Sequence, residues 1–259
     1  IPKELCGIFD SHAHFDDERF NSDRDELFKA LNTTQGVVGI INCGSDYKSS
    51  VISLELAQKH DFVHAAVGYH PEYVSTATPD LKALEDLLKQ GGVVAVGEIG
   101  LDYHYPDTDK EKQHLVFDEQ MKLAEKLSLP VIIHDREAHG DTLAMVKQYK
   151  GVRGVFHSYS GSEEMVKELV KLGWYISFSG PITFKNAEKA RRAAAAVPPD
   201  KLLVETDCPY LTPHPHRGKV NHSGYMYLTA QMLAELHGVT VEEIAQITAD
   251  NARKLFNIL

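Results

Sequence analysis

The chain has 259 residues, 43% of them hydrophobic and 25% charged, enough apolar material for one large core and a length that fits a single α/β barrel of ~250 residues better than two small domains. Its formal net charge of -10 argues against a broad duplex-binding surface, which needs lysine and arginine to neutralise phosphates, but leaves room for a small phosphate pocket. The absence of a basic, apolar N-terminal signal and of any apolar run near the ~18 residues of a membrane span predicts a soluble, unexported protein. Three cysteines, Cys6, Cys43 and Cys208, odd in number and without a Cys-x-x-Cys, argue against a disulfide framework or a thiolate zinc site and fit the reducing cytoplasm.

The first apolar run, from Gly7 to His14, reads as a strand ending in a histidine pair. Alternation puts His12 and His14 on one face, where they can grip a single ion, although a lone His-x-His is weak evidence. Asn21 to Thr34 has helical spacing, and Val37 to Gly44 is a second strand. A helix over about Ser49–His60 precedes a third strand, Phe62 to Pro71, which again ends near a histidine. Thr78-Pro79-Asp80 reads as an N-cap followed by proline in the first turn of a helix over Leu81–Gln90.

Val93 to Asp102 is the fourth strand, followed by a long helix over about Asp109–Leu127. Strands five (Pro130–Asp135) and six (Gly154–Ser158) both carry histidine at their ends. Ser162 with Glu163 and Glu164 starts a further helix. Tyr175–Gly180 is strand seven, Ala187–Ala196 an alanine-rich helix, and Leu202–Asp207 strand eight. From Gly224 onward the chain reads as two helices, the second opened by a capping box of Thr240 and Glu243. Eight strands alternating with helices predict one domain over residues 1–259: a closed (β/α)8 TIM barrel with a C-terminal helical extension.

The strands read as near-continuous apolar runs until their last residues. There His12, His14, His70, Glu98, His134, His157 and Asp207 gather, all at the end of the barrel where the following loops converge. One buried histidine is ordinarily a hydrogen-bonded core residue. Seven titratable groups converging on one rim would be costly to desolvate without a charge to bind, and this points to a metal site. His60, His64, His114, His139 and His237 fall elsewhere and are expected to be structural or solvated. Cys208 follows Asp207, and alternation points it away from the site.

The motifs Asp10-Ser11-His12-Ala13-His14-Phe15-Asp16, Gly68-Tyr69-His70-Pro71, Gly97-Glu98-Ile99-Gly100-Leu101-Asp102, Ile133-His134, Val155-Phe156-His157 and Glu205-Thr206-Asp207-Cys208-Pro209, in this order, resemble the TatD-related deoxyribonucleases. These belong to the metal-dependent hydrolases with amidohydrolase-like barrels. The resemblance spans essentially the whole chain. It implies that His12, His14 and Asp207 hold one divalent metal, that His134 and His157 hold another, and that Glu98 bridges them where related enzymes use a carboxylated lysine. Imidazoles and carboxylates favour zinc or manganese, with magnesium, nickel and cobalt as further candidates.

The implied chemistry is cleavage of a phosphodiester by a hydroxide held between metals about 3.5–4 Å apart. Asp207 would orient it and accept its proton, and His70 would assist at the phosphate or leaving group. The loop Pro213–Lys219 follows strand eight, where barrels often bind phosphate, and the resemblance places Arg217 near the substrate phosphate. Relatives continue with Arg-Asn-Glu-Pro, whereas this chain has Val220-Asn221-His222-Ser223, which removes a positive charge and a carboxylate. The expected substrate is DNA, as single strands or ends, trimmed 3′ to 5′ by a monomer without membrane or obligate protein partner. Fold and ligands are shared across chemistries, so an amide, ester or lactone hydrolase such as an aminoacyl-tRNA deacylase stands as the alternative. A non-catalytic protein retaining a metal site is a third reading.

Overall fold

The computed structural model describes residues 7–258; Cys6 lies outside the described residues. The apolar runs form eight parallel strands hydrogen-bonded in chain order: β1 (Ile8–Ala13), β2 (Val37–Cys43), β3 (Val63–Val67), β4 (Val93–Asp102), β5 (Val131–Arg136), β6 (Gly154–Phe156), β7 (Tyr175–Phe178) and β8 (Leu202–Val204). The sheet returns on itself beyond β8. Ala13 bridges Cys208, the Asp207 N–H donates to the His12 carbonyl at 2.9 Å, and the His14 N–H donates to the Cys208 carbonyl at 2.8 Å. This is the expected TIM barrel, nearly closed at the seam that carries the histidine pair and Asp207.

Helices α1 (Arg24–Thr33) and α2 (Tyr47–Lys59) follow β1 and β2, and α3 (Pro71–Thr76) and α4 (Leu81–Leu88) both follow β3. Next come α5 (Lys110–Leu127), α6 (His139–Val146), α7 (Glu163–Lys171) and α8 (Glu188–Ala196), each behind its strand. The C-terminal extension is α9 (Met226–His237) and α10 (Val241–Phe256). The capping box of Thr240 and Glu243 is present. Among the described residues no helix is long and apolar enough to cross a membrane.

Several expectations about local structure are corrected. The third strand stops at Val67 rather than Pro71, because His70 caps α3 and Pro71 occupies its first turn, where the missing N–H costs nothing. Asp80, not Thr78, caps α4, its side chain accepting the Ala83 N–H at 2.9 Å. Helix α6 lies where no helix is legible in the sequence. Strands six and eight are shorter than expected because Ser158 and Asp207 turn into the left-handed region, at φ 40° and 59°.

Inside the barrel Phe9, Ile41, Ala66, Ala95, Ile132, Val155, Tyr175 and Leu203 pack with Ala249, Ala252, Leu255 and Phe256 of α10. Helix α10 thereby closes the barrel at the end away from the strands' C-termini, leaving the opposite mouth open. Between strands and helices runs a larger core that includes Val96, Ile99, Leu101, Ile133, Phe156, Val204 and Cys208. Cys208 therefore does face away from the barrel interior. Val96 and Ile99 both face this outer core although three residues apart, and the register of β4 against β5 shifts between them. This local irregularity, with the extra residue of a β-bulge, turns Glu98 inward.

Candidate metal centre

The seven strand-end residues meet at the open mouth, with Glu98 in their middle and 3% exposed. Its Oε2 lies 3.2 Å from His12 Nε2 and 3.5 Å from His14 Nε2. Its Oε1 lies 2.8 Å from His134 Nδ1, 2.8 Å from His157 Nε2 and 3.4 Å from His70 Nε2. Asp207 Oδ1 completes the first group, 3.5 Å from His12 Nε2 and 3.3 Å from His14 Nε2. One oxygen of Glu98 thus addresses each histidine group. Three overlapping sets, His12 with His14 and Asp207, His12 with Glu98 and His157, and His70 with Glu98 and His134, bring their ligand atoms within 4.8 Å of one another.

The outer hydrogen bonds decide what each ring presents inward. His14 Nδ1 lies 2.8 Å from the Cys43 carbonyl, a contact that only an N–H satisfies, so neutral His14 presents a lone pair at Nε2. His134 Nε2 donates to Asp102 Oδ2 at 3.0 Å, and His157 Nδ1 to Glu205 Oε1 at 3.2 Å. Both leave their second nitrogen bare toward Glu98. His12 Nε2 then sits 3.0 Å from His14 Nε2, and His134 Nδ1 sits 3.3 Å from His157 Nε2. Acceptors crowded against carboxylate oxygens repel unless cations lie among them, and mixed imidazole and carboxylate donors suit borderline divalent ions. The donor set fits a metal.

His70 differs. Its Nδ1 accepts the Glu72 N–H at 3.1 Å, so the neutral ring turns an N–H, not a lone pair, toward Glu98.

Protons balance the cluster in the absence of metal. Burial opposes charge on His14 and His134, but the hydrogen bonds with Asp207 in one case, and with Asp102 and Glu98 in the other, outweigh it and push each up to about 9. Against the same burial, the surrounding imidazoles hold Glu98 and Asp207 below the ordinary carboxylate range. His12 and His70 are pushed down, first by burial and then by the neighbouring imidazoles His157 and His134.

Residues 9–257 match the TatD related DNase family. The chain belongs to the TatD-related DNase family. It is 41% identical over 254 residues to the metal-dependent hydrolase YabD of Bacillus subtilis, covering 97% of this chain and 99% of that one. It is 40% identical over 257 residues to the metal-dependent hydrolase YcfH of Escherichia coli, covering 97% and 96%. The crystal structure of YjjV, a TatD homolog from Escherichia coli, superposes with a TM-score of 0.90 at 32% identity over 98% of this chain and 100% of that one.

In this TatD-related protein the centre opens into a cavity of about 1330 Å³. Tyr105 and Tyr210 line it, 49% and 48% exposed. Arg217 also reaches this cavity, its guanidinium 4.2 Å from the centre of the Phe184 ring. The segment Val220–Ser223 serves the site structurally. Asn221 donates to the Thr206 and Tyr210 carbonyls at 3.0 and 2.7 Å, and Ser223 Oγ donates to Asp10 Oδ2 at 2.7 Å.

Sequence reasoning assigns no role to several residues that build the TatD-related centre. Asp102 and Glu205 orient His134 and His157. Asp10 is fully buried and accepts from the Thr206 N–H at 2.9 Å and the Thr206 hydroxyl at 2.6 Å, holding the turn that presents Asp207. Burial pushes the Asp10 carboxyl up to about 7 despite these bonds. Gln120 grips the Tyr69 backbone at both N–H and carbonyl, and Gln113 does the same for Asp102. The available signal was parity: Glu205 lies two residues before Asp207, the spacing that shares one face in the strand expected over Leu202–Asp207. The histidines set aside stay outside the centre, His64 stacked with Phe9 and His139 bound to Asp135 at 2.8 Å.

Proposed function

We propose that this metal-dependent hydrolase cleaves phosphodiester bonds at the ends of single-stranded DNA, 3′ to 5′, using two divalent cations with zinc or manganese foremost. His12, His14 and Asp207 would hold one, His134 and His157 the other, and Glu98, with one oxygen toward each group, would serve both. The observation that carries the reading is the division of Glu98, one oxygen toward each histidine group. When bound, the cations lower the pKa of a water and neutralise charge at the phosphate.

The protein's own groups supply the rest. Asp207, held ionised among the imidazoles, orients the attacking water and accepts its proton. His70 presents its Nε2–H to the phosphate or leaving oxygen, fixed in that tautomer by the Glu72 N–H. Arg217, stacked on Phe184, takes a phosphate oxygen, and the exposed rings of Tyr105 and Tyr210 offer platforms on which bases stack irrespective of sequence.

The test is degradation of end-labelled single-stranded DNA by metal-stripped protein re-supplied with zinc, manganese or magnesium. Stepwise shortening from the 3′ end is expected, abolished by Asp207→Asn and reduced by Glu98→Gln by more than the about 10–100-fold that a supporting residue costs. Intact DNA alongside metal-dependent cleavage of aryl esters or amides would overturn the reading in favour of the amide, ester or lactone hydrolases.

A further inference from the structure

We propose that a second phosphate subsite lies beside the metal centre, on the wall built by the loops after β7 and β8, with Lys185 and Lys189 as its cations. The proposal rests on the phosphodiesterase reading and names the substrate it prefers: an oligonucleotide carrying consecutive phosphates, over an isolated phosphodiester.

The cavity is electrically lopsided. Its β1 and β3 side contributes Asp16, Asp17 and Glu72 and no lining lysine or arginine; Asp17 is paired with Arg19 at 2.8 Å, which leaves Asp16 and Glu72 without a lysine or arginine partner. Its β7 and β8 side contributes Lys185, Lys189 and Arg217, and there the one carboxylate is Asp207 at the centre itself. In a chain of net charge -10 this concentration of positive charge runs against the general trend. Lys122, Lys126 and Lys147 on the outer helices are paired with carboxylates. Among the described residues, Lys185, Lys189 and Arg217 have no carboxylate within 4.0 Å.

The wall is also held in shape. Gly180 lets the two loops touch, since a Cβ there would stand 1.9 Å from the Leu211 carbonyl oxygen. The His214 N–H donates to Thr183 Oγ1 at 2.8 Å. Arg191 directs its donors inward, to the Ile182 and Phe184 carbonyls at 3.1 and 2.7 Å. It braces the segment that carries Lys185, while Lys189 Nζ rests on the Ser160 carbonyl at 2.8 Å. Such a wall loses little freedom when an anion arrives.

A single strand brings one negative charge per nucleotide. With one phosphate at the centre, the next is repelled by the acidic side and attracted by the lysines, which act as point charges indifferent to base identity. The chain therefore leaves the centre across the β7 and β8 wall, and the acidic side receives only the terminal nucleoside.

The test uses the full chain, metal-loaded and chelated, with Lys185→Ala, Lys189→Ala and the double variant. Lys171→Ala, at the far end of α7, is the control, and thermal melting confirms folding. First, binding of fluorescein-labelled tetrathymidylate to chelated protein is followed against salt. Each lysine removed should flatten the slope of log affinity against log salt by about 0.7, and Lys171→Ala should not. Second, kcat/KM for thymidylyl-thymidine is compared with that for the same dinucleotide phosphorylated at either end. One phosphorylated form should be preferred by about tenfold, and the double variant should lose that preference. Unchanged slope and preference in the double variant would overturn the subsite, even with DNA cleaved normally. A flattened slope with no dinucleotide cleaved would sustain the subsite and overturn the phosphodiesterase reading instead.

Discussion

His134 turns its Nε2 to Asp102 and His157 its Nδ1 to Glu205, so each imidazole is oriented by a buried carboxylate one layer further from the centre. Such a partner fixes the tautomer and raises the basicity of the nitrogen facing the metal. Asp102→Asn keeps a hydrogen-bond acceptor but removes the charge. We expect it to lower zinc affinity about 10–100-fold with little change in melting temperature of the chelated protein, read by titration against a competing chelator; unchanged affinity would mean that Asp102 only fills space. The inner residues were legible in the sequence because a histidine or carboxylate closing an apolar run is conspicuous. Their supports were not, because Asp102 reaches His134 only once β4 and β5 lie side by side, and Glu205 reaches His157 from beyond β8, with β7 between it and β6. His70 shows the same limit: sequence places it at the mouth, and only the Glu72 N–H at its Nδ1 distinguishes a hydrogen-bond donor from a ligand.

Strand β4 carries a local irregularity and the side chain at the middle of the metal centre. Strict alternation from the inward-facing Ala95 would turn Glu98 outward; the register shift between Val96 and Ile99 reverses this, and no periodicity in the sequence announces it. Two residues later Gly100 has φ 146°, and a Cβ there would lie 2.0 Å from the His134 carbonyl oxygen. Gly100→Ala should therefore combine a strained backbone, about 1–3 kcal/mol, with displacement of β5 just where it presents His134. The expected outcome is a lower melting temperature together with weaker metal binding, measured by calorimetry with and without zinc. A variant that loses stability but keeps full metal affinity would show that β5 moves as a unit without shifting the imidazole. The eight strands and most helices were legible from apolar runs and caps, whereas α3 and α6 were not. Each is short, and their start signals, His70-Pro71 and Ala138-His139, resemble the loop chemistry around them.

The molecule as a whole closes one mouth of its barrel with α10 and gathers imidazoles and carboxylates at the other, so protons and metal compete for the same buried groups. Without metal, His14 and His134 are pushed from the ordinary 6.5 up to about 9. A group raised on folding contributes stability that is fully present below its unfolded value and is lost as pH rises through its folded value. Glu98 and Asp207 are lowered, so their contribution is present above the ordinary carboxylate range and is lost only in acid. Between about pH 6 and 8.5 the chelated protein should thus become less stable, because the unfolded chain loses imidazole protons that the folded protein still holds on His14, His134 and His157. The metal-loaded protein needs those imidazoles deprotonated, and over the same interval its binding strengthens. Both trends widen one gap: the rise in melting temperature produced by saturating zinc should grow from about pH 6 to 8.5. Calorimetric titration near neutrality, in two buffers of different ionisation enthalpy, should show protons released as zinc enters. A thermal gain that stayed constant with pH, with no protons released, would mean that His14 and His134 are neutral before metal arrives. The pairing of His14 with Asp207, and of His134 with Asp102 and Glu98, would then be a consequence of metal binding and not a preparation for it.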